Sequence, residues 1–279
     1  MKKGISIWSI TAPDFNEAFK IAKRAGFDGV EVDISENGQI NLNTTKDELL
    51  KIKEQAKANG IELYSLATGL YWSYSLTSDD AAQREKAKQI VKKQLEAASV
   101  LGCDTILVVP GAVGVSFAPD LGVVDYVTAY ERSLSALKEL APYAEELKVS
   151  IGIENVWNEF LLSPIEMRDF IDKIGSDYVG SYFDVGNVLS TGYPEQWIRI
   201  LNKRIKKVHF KDYRKAVGTL DGFVDLLAGD VNYPEVIKAF KEVGYDGYVT
   251  AEMIPSYKNY SNTIVENTSN AMDKILGRK

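Results

Sequence analysis

Short apolar runs rich in β-branched residues recur along the chain, and each pair is separated by enough residues for one helix. Runs of this length, bounded by glycine, proline or polar residues, predict β-strands. We predict eight strands, at residues 5–10, 29–34, 62–68, 105–110, 150–155, 179–185, 205–211 and 248–253.

The segments between these strands have the spacing of amphipathic helices. Residues 87–98 repeat apolar side chains every three or four positions and are followed by Gly102, a typical helix stop. Polar residues that commonly cap helix N-termini precede several of the other segments. The predicted caps are Asp14, Thr44, Ser163 and Asn232.

Strand and helix therefore alternate in an α/β chain. Eight such units with no Pro- or Ser-rich linker favour one (β/α)8 TIM barrel, formed by residues 1–279 as a single domain. An open, doubly wound sheet is the alternative. In a barrel the active site lies at the carboxyl ends of the strands, so polar residues at those ends are the candidates for chemistry.

Charge and cysteine content narrow the function classes. Lys and Arg total 33 against 39 Asp and Glu, a formal net charge of -6, whereas nucleic-acid-binding domains normally present a basic surface. The single cysteine, Cys103, argues against a disulfide-stapled secreted protein. No stretch reaches the roughly 18 apolar residues of a membrane helix, and residues 1–15 do not resemble a signal peptide. We expect a cytoplasmic protein that binds neither nucleic acid nor membrane.

Four polar side chains stand at or near the ends of predicted strands five to eight. They are Glu154, Asp184, His209 and Glu252. Because the ends of adjacent barrel strands lie close together, we expect three carboxylates and one imidazole to converge. This donor set suits a divalent metal ion, with Mn²⁺ or Mg²⁺ favoured and Co²⁺ or Zn²⁺ as further candidates. The sequence therefore predicts one bound metal ion.

Each of these residues also has a structural interpretation when taken singly. His209 is the only histidine, and a lone histidine more often packs than binds a ligand. Glu252 fits a solvated strand end, and Asp184 fits an Asx turn before Gly186. Their joint occurrence favours the metal site, because an isolated buried carboxylate is costly.

Longer motifs around these residues resemble the sugar and sugar-phosphate isomerases and epimerases of the xylose isomerase-like TIM barrel superfamily. This group includes ketose 3-epimerases and hexulose-phosphate isomerases. The resemblance covers nearly the whole chain and is most specific in IENVWNEFLLSP (153–164), YFDVGN (182–187), VHFKD (208–212), LLAGDVNYPEV (226–236) and GYDGYVTAEM (244–253). It implies that the four residues above are the metal ligands and that Glu154 and Glu252 are also the catalytic acid/base pair. The resemblance is also compatible with a homo-oligomer.

The chemistry that this resemblance implies is proton transfer next to a carbonyl group of a small sugar or sugar phosphate. The reaction would pass through a metal-bound enediolate, whose negative charge the cation stabilises. One of two opposed glutamates can remove the proton while the other returns one to the opposite face, which is epimerisation. Alternatively, one glutamate can move the proton to the neighbouring carbon, which is isomerisation.

Further residues are predicted to bind the substrate. Ketose 3-epimerases that act on free sugars carry a histidine where this chain has Asn187, so this motif is closer to the sugar-phosphate members. Basic residues after predicted strand seven, a region where barrels often bind phosphate, point the same way, with a solvated basic patch as the alternative. These residues are Lys211, Arg214 and Lys215.

Aromatic residues near predicted strand ends are candidates for the walls of the site. Trp8, Tyr71 and Trp72 could stack on a sugar, and packing in the core or rim is an equal alternative. Glu31, in predicted strand two, could bind a hydroxyl group or be a structural carboxylate, and it stays outside the predicted catalytic set.

Three other activities compete with this interpretation. Two are an inosose dehydratase-like and a hydroxypyruvate isomerase-like enzyme of the same superfamily. The third is a barrel that binds a sugar or metal without turnover, since a fold does not fix a function. Keeping both Glu154 and Glu252 counts against the last, because a pure binder does not need two opposed bases.

Overall fold

Eight parallel strands close into one barrel in the computed structural model, which describes residues 1–278. The first seven are β1 (Lys2–Ser6), β2 (Gly29–Ile34), β3 (Glu62–Thr68), β4 (Thr105–Val108), β5 (Ser150–Glu154), β6 (Val179–Asp184) and β7 (Ile205–Phe210). A short antiparallel hairpin of β8 (Asp212–Tyr213) and β9 (Phe223–Val224) follows β7. The eighth barrel strand, β10 (Tyr248–Ala251), pairs with β7 and β1 and so closes the ring.

Helices alternate with the barrel strands along the chain. They are α1 (Phe15–Arg24), α2 (Lys46–Ala58), α3 (Ala81–Leu101), α4 (Tyr126–Leu147), α5 (Pro164–Ile174), α6 (Pro194–Leu201), α7 (Tyr233–Val243) and α8 (Thr263–Leu276). Within residues 1–278, no helix is long and apolar enough to cross a membrane. The alternation and the closed ring confirm the predicted (β/α)8 barrel over the open sheet.

The predicted strands differ from the observed ones mainly at their ends. Residues 29–34 and 62–68 are strands as predicted, whereas the first strand spans 2–6 instead of 5–10. Ile7–Ser9 form a 3-10 turn instead, and the Ser6 side chain accepts a hydrogen bond from the Trp8 backbone N–H at its start. The hairpin of β8 and β9 was not predicted, because strands of two residues carry no periodic pattern.

The helix caps follow the sequence with one correction. Asp14, Ser163 and Asn232 accept backbone hydrogen bonds at the starts of α1, α5 and α7. The cap of α2 is Thr45, not Thr44, because Thr45 and Glu48 bond each other's backbone N–H groups in a capping box. The Thr44 hydroxyl instead accepts the Asn41 N–H at 2.8 Å.

Large side chains fill the amino end of the barrel. The rings of Tyr64 and Tyr248 stack with their centroids 3.7 Å apart. A Cβ atom on Gly4 would lie 2.1 Å from the Tyr64 hydroxyl, so only glycine leaves room for this ring. Side chains therefore fill the amino end, and the barrel opens at its carboxyl end.

Candidate active site

The four predicted metal ligands meet at the carboxyl end of the barrel. Glu154 and Asp184 are the last residues of β5 and β6. His209 is the penultimate residue of β7, directly opposite Asp184, and Glu252 follows β10. One ligand atom from each of the four lies within 4.8 Å of the others, and all four side chains are buried. The structure thus brings together the residues that strand-end position had selected.

The atoms that face one another in this cluster fit a cation. His209 Nδ1 lies 3.6 Å from Glu154 Oε1, 3.5 Å from Glu252 Oε2 and 3.8 Å from Asp184 Oδ2, which is too far for good hydrogen bonds. Among the described residues, Nδ1 and these Asp184 and Glu252 oxygens lack hydrogen bonds of good geometry. Atoms this close together can ligate one divalent cation after small side-chain shifts. The donor types also match an ion that prefers oxygen ligands.

Lys211 reaches into the same cluster from just beyond β7. Its ammonium nitrogen lies 3.2 Å from Asp184 Oδ2 and contacts Glu252 Oε2, and its side chain is only 12% exposed. The ammonium also lies 5.4 Å from the centre of the Phe223 ring. Lys211 is therefore a largely buried part of the site and not a member of a solvated basic patch.

The two glutamates have unlike electrostatic environments. Burial raises the pKa of Glu154 to about 7, although His209 and Lys211 oppose the shift. Burial would also raise the pKa of Glu252, but Lys211 and His209 outweigh it and lower that pKa to about 2. Burial likewise raises the pKa of Asp184. Unequal carboxyl groups of this kind are typical of sites that perform acid/base chemistry.

Glu31 lies directly behind His209, inside the barrel. The distance between His209 Nε2 and Glu31 Oε1 is 2.9 Å, and the Glu31 side chain is fully buried. The other Glu31 oxygen accepts hydrogen bonds from Ser65 Oγ at 2.9 Å and from the Tyr182 hydroxyl. Sequence reasoning left this residue outside the catalytic set; its only signal was a carboxylate within an apolar strand.

A cavity of about 330 Å³ opens beside the cluster and is walled mainly by aromatic and aliphatic side chains. Glu154, Glu252, Asn187 and Lys211 contribute its polar groups near the cluster. The aromatic wall consists of Trp8, Trp72, Phe117, Trp157 and Phe223. Such a lining, apolar with a few convergent polar groups, is typical of small-molecule sites.

Asn187 and Asp184 bond nearby backbone groups and also lie at the site. The Asn187 backbone N–H donates to Asp184 Oδ1 at 2.7 Å, so Asp184 bonds the backbone three residues on and not two residues on as in an Asx turn. Asp184 Oδ2 remains directed at the cluster. The Asn187 amide nitrogen donates to the Asn155 carbonyl at 3.0 Å, which fixes the side chain at the cavity wall.

The other predicted site residues are placed differently. Arg214 donates to the Ala228 carbonyl at 3.0 Å, and the Lys215 ammonium lies 4.7 Å from the centre of the Tyr193 ring. Neither is among the residues that line the aromatic cavity. Tyr71 is buried and donates to Gln94 at 2.7 Å, outside that cavity as well.

Trp157 is a cavity residue that sequence reasoning did not select. Its indole N–H donates to the Asn187 carbonyl at 3.1 Å, and its ring packs edge-on against Tyr213. Its position within the IENVWNEFLLSP motif was the available signal. Phe117 and Phe223 lie in a loop and in the short strand β9, where no apolar period marks them.

Comparisons with known proteins agree with this architecture. Residues 19–273 match the model of the family described as "Xylose isomerase-like TIM barrel". L-ribulose-5-phosphate 3-epimerase UlaE of Escherichia coli K12 is 22% identical over 240 residues, which cover 85% of this chain and 81% of UlaE. A shorter match, 26% identical over 175 residues, covers 61% of this chain and 57% of the uncharacterized protein MJ1311 of Methanocaldococcus jannaschii.

A solved structure of D-psicose 3-epimerase from Clostridium cellulolyticum H10 with D-tagatose shares the fold. It superposes with a TM-score of 0.82 at 18% identity and covers 99% of each chain. The homologues are ketose 3-epimerases and L-ribulose-5-phosphate 3-epimerases, which are enzymes of the isomerase class. Since the family model spans most of the chain, this protein belongs to the xylose isomerase-like TIM barrel family.

Proposed function

We propose that this protein is a metal-dependent isomerase or epimerase of a sugar or sugar phosphate, which transfers a proton next to a carbonyl group. The observation that carries this proposal is the placement of Glu154 and Glu252 at one cavity. Beside them, buried atoms that could ligate a metal ion have no hydrogen-bond partner of good geometry. Glu154, Asp184, His209 and Glu252 would hold the divalent cation, Mn²⁺ or Mg²⁺ by preference. When bound, the cation supplies stabilisation of negative charge on substrate oxygens.

The residues of this chain would perform the remaining steps. One of the two glutamates removes the proton next to the carbonyl, and the other returns a proton to the same or the neighbouring carbon. Trp8, Trp72 and Trp157 would cover the sugar ring or chain and exclude water from the reacting atoms. Lys211 and Asn187 would contact substrate oxygens from the cavity wall.

The position of the basic residues bears on the choice of substrate. The ammonium group of Lys211, which lines the cavity, is already paired with Asp184 and Glu252. Arg214 and Lys215 lie outside the lining. This arrangement favours an unphosphorylated ketose as the first substrate to test, with its phosphate ester as the matched comparison. The phosphorylated substrate of UlaE, as its name gives it, keeps the ester in the test.

Two further parts of the proposal concern context. We place the protein in the cytoplasm, which the lone cysteine supports, and treat residues 1–279 as a single barrel domain. The partner is a small molecule and not nucleic acid, and a homo-oligomer stays open.

Deuterium exchange measured by NMR tests the proposed reaction whichever product is formed. Metal-loaded protein in D₂O is incubated with pairs of ketoses and ketose phosphates, and the hydrogens next to the carbonyl are followed. We expect exchange that requires Mn²⁺ or Mg²⁺ and stops when a chelator is added. Exchange that persists in chelator would contradict the proposed metal dependence. No exchange with metal bound would favour the dehydratase or the non-catalytic barrel.

A further inference from the structure

A chain of buried hydrogen bonds crosses the barrel interior beneath the proposed metal site. It joins residues of four strands, Glu31 of β2, Ser65 of β3, Tyr182 of β6 and His209 of β7. All four side chains are buried, and β2 and β7 are not neighbours in the barrel. The Glu31 side chain therefore spans the interior to reach His209, a costly arrangement for a carboxylate unless each oxygen is bonded.

Both Glu31 oxygens are occupied, and each has a distinct function. Oε2 accepts from Ser65 Oγ and from the Tyr182 hydroxyl, while Oε1 lies 2.9 Å from His209 Nε2. An ionised carboxylate can only accept, so the hydrogen of this last bond must be on Nε2. The Tyr182 ring also packs against the imidazole, with centroids 4.7 Å apart and 64° between the ring planes. The imidazole is thus fixed both in its plane and in its hydrogen-bond direction.

This bond determines what the other ring nitrogen can offer. In a neutral imidazole one nitrogen carries the hydrogen and the other carries a lone pair. With the hydrogen on Nε2, the lone pair is on Nδ1, the atom that faces Glu154, Asp184 and Glu252. Nδ1 is also one of the buried atoms that lack a hydrogen bond of good geometry.

We propose that Glu31 is a positioning residue, which selects the Nε2–H form of His209 and aims the Nδ1 lone pair at the divalent cation. This inference rests on the metal site of the proposed function but does not depend on the sugar or on turnover. Ligating histidines commonly donate their second N–H to a carboxylate, and loss of that partner typically lowers metal affinity by about 10–100-fold.

The substitution Glu31→Gln separates this role from a merely structural one. If the amide oxygen replaces Oε2 as acceptor for Ser65 and Tyr182, the amide NH₂ group faces His209 Nε2. Two donors cannot bond each other, so the hydrogen of His209 would have to move to Nδ1, which then no longer binds a cation. We expect Mn²⁺ affinity, measured by calorimetry, to fall by about 10–100-fold.

Ser65→Ala is the matched control. It removes one donor to Glu31 but leaves the partner of His209 Nε2 unchanged, so we expect the Mn²⁺ affinity to fall clearly less than in Glu31→Gln. Equal losses in Glu31→Gln and Ser65→Ala would overturn the proposal, since they would indicate a general loss of packing. An unchanged affinity in Glu31→Gln would do the same.

NMR of the imidazole tests the proposal in the unmodified protein as well. His209 is the only histidine, so untagged protein labelled with ¹⁵N-histidine gives the signals of one ring. In the Mg²⁺-loaded protein we expect hydrogen on Nε2 and none on Nδ1, and hydrogen found on Nδ1 would overturn the proposal even if Glu31→Gln fails to fold. If the parent protein binds no divalent metal, the proposed function and this inference both fail. If the parent binds metal and the two variants behave alike, only the Glu31 role fails.

Discussion

Both ends of the barrel bury charged side chains, but these charges are paired differently at the two ends. At the amino end, the Lys3 ammonium lies 2.6 Å from Asp273 and 2.9 Å from Ser269 Oγ. Lys207 is likewise buried and pairs with Asp104 at 2.5 Å. Each of these two buried cations thus has an anion of this chain beside it, and the pairs tie α8 and the loop before β4 to the barrel.

At the carboxyl end the charges do not balance in this way. The three carboxylates Glu154, Asp184 and Glu252 share His209 and Lys211, and several of their inward-facing atoms have no hydrogen bond of good geometry. Burying like charges together is costly unless a ligand compensates them. The charges at the amino end are paired for stability, whereas those at the carboxyl end belong to the proposed cation and substrate site, the usual division in barrels of this type.

The largest expected effect comes from breaking the carboxyl end at Glu252. Glu252→Gln keeps the shape of the side chain but removes the base, so the rate of deuterium exchange should fall by roughly 10²–10⁴-fold. The metal-free variant should unfold at a somewhat lower temperature, because Lys211 and His209 stabilise the ionised form of Glu252 and the amide loses that stabilisation. Exchange is measured at saturating Mn²⁺, with saturation checked by calorimetry. Full exchange in this variant would contradict the proposed reaction.

The amino end should show the opposite result. Lys3→Met removes the buried ammonium that contacts Asp273 and Ser269 Oγ, which should lower the free energy of unfolding by about 1.5–3 kcal/mol, as expected for hydrogen bonds to a charged group. The exchange rate of the folded protein should not change, because Lys3 lies at the far end of the barrel from the cavity. Urea unfolding and the exchange assay measure the two quantities. The double variant Lys3→Met/Asp273→Leu should recover much of the stability, and failure to do so would indicate that the loss reflects packing instead.

Metal-free protein should lose stability as pH rises from 6 to 8. The pKa of Glu154 is about 7 in the folded protein and near 4.5 when unfolded, so its contribution is fully present below about 4.5 and is lost as pH rises through about 7. The raised pKa of His209 acts in the same direction. Thermal unfolding with chelator should show this trend, and Glu154→Gln should flatten it. A parent unfolding temperature that rises over this range would contradict the prediction.

The contrast between the ends also explains how far the sequence could predict the site. Strand-end position identified Glu154, Asp184 and Glu252, because parallel strands of known order bring their ends together. The contact between Glu31 and His209 could not be predicted in this way. It joins strands that are not neighbours, and it depends on how far side chains reach across the interior.

Chain proximity was misleading in one respect. Lys211, Arg214 and Lys215 are close in sequence, which suggested one basic cluster. The chain turns into the short hairpin after Lys211, so Lys211 faces the site, whereas Arg214 bonds the Ala228 carbonyl and the Lys215 ammonium lies over the Tyr193 ring. Two-residue strands leave no pattern from which such a turn can be predicted.

The smallest expected effect is that of Lys215, a charged residue at the carboxyl end of the barrel that lies outside the cavity. The Lys215 ammonium lies over the Tyr193 ring, outside the cavity, so Lys215→Ala should change KM by no more than roughly twofold for a ketose, as is usual for surface charges. The same should hold for the matched ketose phosphate. A direct bond to phosphate would instead raise KM about tenfold or more for the phosphate alone, since hydrogen bonds between charged groups contribute about 1.5–3 kcal/mol. Steady-state kinetics on the two substrates therefore decide whether function at this end depends on its buried charges or also on its exposed ones.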